Sequence, residues 1–418
     1  MIDRNTAPPT HKIQSIEFIC PQTIEINSTV KLLWMKNVPN ETSRIDLYYN
    51  AGLRNGRNII ASLCSSLLLS GTKDKSTTEI HKQIDQLGAF FDIGLSHEGV
   101  MISIFALKEN IFEAFCIINE AIQCAVFPDK EISEKIRVKK EKHKINFGKV
   151  GFLAQRKFQE KIFYNSPYSE LTNLEDFDNI SKNEIIEFHE NFFKKGLFKV
   201  AVVGNIKESE IDSIISKCKD SCIDKPLEYY SAFGNFSGVF HEEKQSAVQS
   251  AIRIGKTLFN KTHADFIDFS ILNTVLGDYF GSRLMKNIRE DKGYTYGIGS
   301  AIAETGGSGY FIIGSEVGIQ HRESALKEIQ NELEKLCSQE MSHKELELVK
   351  NYLLGQMLKA ADGPYAMMDL FLSVDTYALN MDYYNEFIER IHQIDPKEIM
   401  SISQKYLKWD TMSVVSVG

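Results

Sequence analysis

No stretch of the 418-residue chain reaches the roughly 18 apolar residues that a membrane-crossing helix needs, so no span is expected. A basic surplus is missing too. Lys and Arg number 48 against 56 Asp and Glu, a net charge of −8, which argues against a nucleic-acid binder with its usual basic face. Cysteines are few and odd in number: seven scattered thiols fit a reducing, cytoplasmic setting better than a disulfide framework. Cys218 and Cys222 are spaced four apart, but two thiols without a nearby histidine fall short of a zinc site and read as packing. The opening MIDRNTAPPT has neither the apolar core of a signal peptide nor an Arg-rich presequence, so no targeting segment is expected. The histidines show no metal spacing, and no G-x-S-x-G elbow appears. Gly306-Gly307 lacks the lysine and helix context of a phosphate loop and reads as a hairpin turn.

What is present is an ordinary globular composition, 43% hydrophobic and 25% charged, in a chain long enough for two domains of roughly 200 residues. Strands are predicted at KLLWMK (31–36) and RIDLYYN (44–50), flanking a turn at Val38-Pro39-Asn40-Glu41. An apolar helix follows at 58–70. Capping boxes at Ser76-x-x-Glu79, Ser181-x-x-Glu184 and Asp395-Pro396-x-Glu398, and a similar start at Ser342-x-x-Glu345, mark helix beginnings. The second half replays the order of the first. ISKNEI at 180–185 matches IDPKEI at 394–399, and VAVVG matches VVSVG, at one offset of 214 (180 to 394). The chain therefore reads as a tandem duplication of an α+β unit, with a first domain over 1–222, a second over 237–418 and a linker at 223–236.

The most informative stretch is SRLMKNIREDKGYTYGIGS, residues 282–300. Leu284, Met285 and Ile288 give a helical apolar face, and Gly293 is a helix stop suited to positive φ. The period then falls to two, which places Tyr294, Tyr296 and Ile298 on one side of a strand. Arg289 and the two tyrosines converge on one corner, and spacing alone does not choose between Tyr294 and Tyr296. A helix end covered by Arg and two half-buried Tyr would look the same.

The pattern S-R-L-x-x-x-I-R-E-x-x-G-x-x-Y resembles the second-half signature of the pitrilysin/insulinase family, which includes the mitochondrial processing peptidases. The resemblance implies two similar domains, each a mostly antiparallel sheet backed by helices. It also implies that Arg289 and Tyr296 hold substrate backbone at a zinc site, with Tyr294 the weaker candidate. In the family's first half, a helix ending in F-x-G-T carries H-x-x-E-H, whose histidines bind zinc and whose glutamate activates water. Here Leu69-Ser70-Gly71-Thr72 matches that ending, and Ser62, Ser65 and Ser66 fall where His, Glu and His belong. Hydroxyls are poor zinc ligands and cannot replace a carboxylate as base. Glu141, the candidate for the third ligand, lies among Lys139, Lys140 and Lys142 and reads as a solvated helix face. The three serines read as packing residues on a helix face, not as nucleophiles.

No metal or cofactor is therefore expected in this chain. The resemblance implies a non-catalytic, substrate-binding subunit of a heterodimeric zinc peptidase, whose partner is a homologous zinc-bearing chain and whose substrate is a peptide. The other reading is a structural or peptide-binding homologue without a proteolytic role, perhaps as a homodimer.

Overall fold

The computed structural model of the chain describes residues 13–231 and 234–418. The opening stretch 1–12, read above for targeting signals, lies outside the described residues, as do positions 232 and 233 of the linker. Eleven strands are present among the described residues: β1 Gln22–Glu25, β2 Lys31–Met35, β3 Thr42–Tyr49, β4 Phe90–Leu95, β5 Val100–Leu107, β6 Leu197–Val203, β7 Gly238–Glu242, β8 Gln249–Leu258, β9 Thr295–Thr305, β10 Ser308–Gly318 and β11 Ser413–Val417. They form two sheets, ordered β1-β2-β6-β3-β5-β4 and β7-β11-β8-β10-β9. Without β1 the orders superimpose, and the one parallel pair of each sheet, β2 with β6 and β7 with β11, falls at the same place. All other pairs are antiparallel. The duplication is thus a repeat of topology.

The turn at 38–41 does not make a hairpin of β2 and β3. β6 lies between them, with Ile45 opposite Val202 and Leu47 opposite Val200. The reason is burial. LFKVAVV ends in the unbroken apolar run Val200 to Val203, and its central position hides those residues completely. Helix starts fall where the caps placed them: Ser76, Ser181 and Asp395 close reciprocal capping boxes, and Ser342 accepts from Glu345 N–H. Gly88 and Gly293 end their helices at φ 61° and 64°, a left-handed conformation that other residues adopt only with strain.

Each sheet has its own core. The first draws on residues from Ile26 to Cys222, the second on residues from Ile252 to Val414. Residues 13–18 belong in space to the second half: Ile13 and Ile16 pack on its core, and Phe18 lies against Tyr384. The halves also exchange a helix. Val150–Ile162 of the first half lays Ala154 on Ala251 and Val417, and Phe158 and Ile162 near Val415, on the second sheet. Pro364–Asp375 of the second half lays Met368 and Leu372 on Leu33, Met35, Ala201 and Val203 of the first. Val150 and Pro364 are again 214 apart (150 to 364), so the exchange is reciprocal. Ion pairs fix the second contact, Arg44 to Asp369 at 2.6 Å and Lys199 to Asp375 at 2.5 Å. Among the described residues no helix is long and apolar enough to cross a membrane.

Candidate functional site

The first corner lies on the helix Asn58–Leu67. Its apolar residues Ile59, Ile60, Leu63, Cys64 and Leu67 are buried in the first core, which fixes the direction of the serine face. Ser65 Oγ donates to the Ala61 carbonyl at 2.7 Å, and Ser66 Oγ to the Leu63 carbonyl at 3.0 Å. Both hydroxyls are thus turned back onto their own helix. Ser62 faces outward, and its Oγ accepts a hydrogen bond from Lys139 Nζ at 2.8 Å. Lys139 belongs to the helix Asp129–Phe147, whose sole buried residue is Ile132. Burial pushes its ammonium down to about 8, and the charges of Lys135 and Lys142 push the same way.

These residues do not fit a zinc ion. Two hydroxyls are spent on backbone carbonyls, and the third faces a cation where a dication would need a ligand. Glu141 lies on the outer side of its helix, paired with Lys144 at 2.7 Å, and that hydrogen bond and charge hold its carboxyl below the usual range. No group of three His, Cys, Asp or Glu side chains is placed to hold a metal among the described residues.

The second corner is the stretch before β9, at the outer edge of the second sheet. The predicted helix is there but is wound as a π-helix, Met285–Asp291, with Lys292 N–H bonding to the Asn287 carbonyl at 3.0 Å. Such wide turns recur at functional sites. The segment is held from outside. Arg283 makes a two-pronged pair with Glu345 at 2.9 and 3.0 Å, and Asn287 Nδ2 donates to Glu328 and Glu332 at 3.0 and 2.7 Å. Arg289 points elsewhere. Its guanidinium lies 4.6 Å from the centre of the Phe280 ring.

Strand alternation fails between Tyr296 and Ile298. Thr295 pairs with Val317 and Ile298 with Ser315, so Tyr296 and Gly297 together oppose Glu316. This is a β-bulge. Hydroxyls tie it down: Ser315 Oγ donates to the Gly297 carbonyl at 3.0 Å, and Thr295 Oγ1 accepts from Gly297 N–H at 3.1 Å. Tyr294 is stacked on His321, ring centres 4.7 Å apart, against the second core. Tyr296 is 94% exposed. The expectation that both share one face is therefore corrected. Tyr294 precedes β9, and the bulge takes Tyr296 off the buried face of Ile298, so the two rings have different surroundings.

Tyr296 borders an open cavity of about 830 Å³ with Phe280, Arg253, Asp278 and Glu316. Arg289 backs this cavity through Phe280. Burial raises the Asp278 carboxyl above its ordinary value. Phe280, Asp278 and Arg253 were not singled out from the sequence. Gly277-Asp278-Tyr279-Phe280-Gly281 is a glycine-bounded turn holding two aromatics, and that was the signal available. The serine corner and the Arg289 corner belong to different cores of the same chain.

A duplicated α+β chain with a helix-and-edge-strand corner in each half has the architecture of a two-domain metallopeptidase-family chain, here with serines on the first-half helix. Residues 31–161 match the family described as "Insulinase (Peptidase family M16)", and residues 179–353 match "Peptidase M16 inactive domain". The chain belongs to this insulinase, or M16, peptidase family. It is 23% identical over 321 residues to a Bacillus subtilis protein described as "Uncharacterized zinc protease YmxG", covering 74% of this chain and 76% of that one. It is 21% identical over 372 residues to the Helicobacter pylori "Non-peptidase homolog YmxG", covering 81% and 80%. A solved Pseudomonas fluorescens structure, described as a peptidase M16 inactive domain, superimposes with a TM-score of 0.86 at 22% identity, covering 95% of this chain and 98% of that one. At that identity the likeness carries the fold alone.

Proposed function

We propose that the chain is the non-catalytic, substrate-binding subunit of a zinc peptidase, and that it offers Arg289 and Tyr296 to a zinc-bearing homologous chain. The observation that carries this reading is the bulge. It holds the exposed Tyr296 at the border of the cavity while Arg289 rests on the Phe280 wall. A pure scaffold has no use for a phenol held in solvent on a tied bulge. A peptide carbonyl under attack gains negative charge, and donors fixed beside it lower the barrier. Arg offers a permanent charge with several N–H groups, and Tyr one O–H. β9 is an outer strand, so an extended peptide can add to it through main-chain hydrogen bonds. Zinc, on this reading, belongs to the partner. The name of the Bacillus subtilis "Probable inactive metalloprotease YmfF", 18% identical over 305 residues, agrees with a chain that is not a peptidase by itself.

The test is co-expression with a zinc-bearing homologue from the same genome. Peptide hydrolysis should require both chains, and the two should co-elute on a sizing column. A partner fully active alone, with no co-elution, sinks the proposal. The Helicobacter pylori name, non-peptidase homolog, favours the second reading, a peptide-binding homologue outside proteolysis. That reading predicts peptide binding with no dependence of any hydrolysis on this chain.

A further inference from the structure

A second cavity, of about 410 Å³, lies where the two halves meet. It shares no lining residue with the serine corner or the cavity at the Arg289 corner. Tyr48 of β3 and Phe198 and Lys199 of β6 come from the first sheet, and Tyr229 comes from the linker. Glu304 of β9 and Tyr377, beyond the helix Pro364–Asp375, come from the second half. Glu98, in the turn between β4 and β5, also lines the cavity and accepts a hydrogen bond from Gly306 N–H at 3.0 Å. Such a volume suits a small molecule.

Most polar groups of this wall are already satisfied. The charged side chains among the described residues that line it each have a partner: Glu98 pairs with Arg54 at 2.8 Å, Lys199 with Asp375 at 2.5 Å and Glu304 with Lys261 at 3.2 Å. Ser96, Thr376 and Tyr377 spend their hydroxyls on the carbonyls of Gly99, Leu372 and Thr305 at 3.0, 2.9 and 3.2 Å. Thr305 Oγ1 lacks a partner but is itself buried. The hydroxyls of Tyr48 and Tyr229 remain, with no hydrogen-bond partner among the described residues. Burial raises both above the ordinary tyrosine value, and the charges of Asp46 and Glu98 push the same way, so both keep their protons and can donate or accept. A charged ligand would lose its hydration here and meet no free counter-charge. A neutral ring meets apolar surface: Phe198, its ring 6.1 Å from that of Tyr48, with Met101 and Leu372. Arg54 lies 5.9 Å from the centre of the Tyr229 ring and steadies that side chain.

We propose that this cavity binds an uncharged aromatic small molecule bearing hydroxyl or amide groups, which pair with the Tyr48 and Tyr229 hydroxyls. Its contacts come from the first sheet, the linker and the second half, so the bound molecule braces the halves against each other. The inference goes beyond the proposed function and depends on neither the partner chain nor the Arg289 corner.

The experiment uses the full chain near neutral pH and three probes that share one phenol ring: 4-hydroxybenzamide, which is neutral, 4-hydroxybenzoate, an anion, and 4-hydroxybenzylamine, a cation. Affinities are read by ligand-observed NMR titration for wild type, Tyr48→Phe and Tyr229→Phe. Both substitutions keep the ring and remove only the hydroxyl, and circular dichroism checks that each variant is folded. 4-Hydroxybenzamide should bind wild type about tenfold more tightly than either charged probe. Each Phe variant should weaken that binding about fivefold, the size of one lost neutral hydrogen bond. No binding of 4-hydroxybenzamide means that the two hydroxyls serve only water, and the proposal falls. Equal binding of the three probes, or unchanged affinity in either folded Phe variant, also overturns it. Each of these results leaves the reading of the Arg289 corner untouched.

Discussion

Lys139 Nζ lies 2.8 Å from Ser62 Oγ, so an ammonium stands against the helix position that the sequence resemblance matches to the family's first zinc histidine. Three changes to serine would leave a polar gap beside an apolar core. A lysine from the neighbouring helix puts a hydrogen-bonded ammonium there.

That arrangement predicts how the site responds to repair. The triple change Ser62→His, Ser65→Glu, Ser66→His supplies two ligands and a base, yet Lys139 still repels a dication. Zinc affinity should stay weak. Adding Lys139→Glu removes the cation and supplies a third ligand, and zinc should bind at least about tenfold more tightly. Competition with a colorimetric chelator measures both. Equal affinities of the triple and quadruple variants would show that Lys139 is not at the metal position.

The depressed Lys139 value has a consequence for stability. Below about 8 both folded and unfolded chains carry the proton, and burial of the charge costs the fold its full penalty. Between about 8 and the ordinary lysine value the folded chain releases its proton first, so the penalty fades as the pH rises. Lys139→Met should therefore be more stable than wild type by about 1 kcal/mol near neutral pH. The gain should shrink toward about pH 10. Denaturant unfolding of both proteins across this range is the measurement, and a gain that grows with pH contradicts the assignment.

In the reconstituted pair, Arg289→Ala should lower kcat by about 10² to 10³. Tyr296→Phe should cost less, and Tyr294→Phe less again, because Tyr294 is engaged with His321. All three variants should still assemble. Steady-state kinetics with a sizing-column check decides it. Full activity of both Arg289→Ala and Tyr296→Phe would reduce the segment to a helix end and an exposed ring.

The exchanged helices should make the halves inseparable. Proteolytic cutting within 223–236 should leave two fragments that co-elute under native conditions and part only in denaturant. Met368→Ala, a change in the second half, should cost about 2–4 kcal/mol by opening a cavity against the first sheet. It should lower a single unfolding transition. Two separate transitions would contradict the coupling.

The sequence by itself settled what depends on neighbours along the chain. Caps such as Ser76 with Glu79, glycine stops at Gly88 and Gly293, and apolar periods are local chemistry, and they placed most helices and strands. The duplication was legible because two copies of one unit keep the same local signals at one offset. That Ser62, Ser65 and Ser66 share one helix was legible as well, since the apolar run 58–70 predicted it. Three things were decided by tertiary structure. β6 separates β2 from β3, because strand pairing is chosen by burial across the sheet and not by sequence order. Lys139 reaches Ser62 from 77 residues away, a contact made by packing two helices. Tyr296 leaves the face of Ile298 because of a bulge, and a bulge exists only relative to a partner strand. The register of β10 against β9 inserts the extra residue, and nothing within the run Tyr294-Thr295-Tyr296-Gly297 announces it.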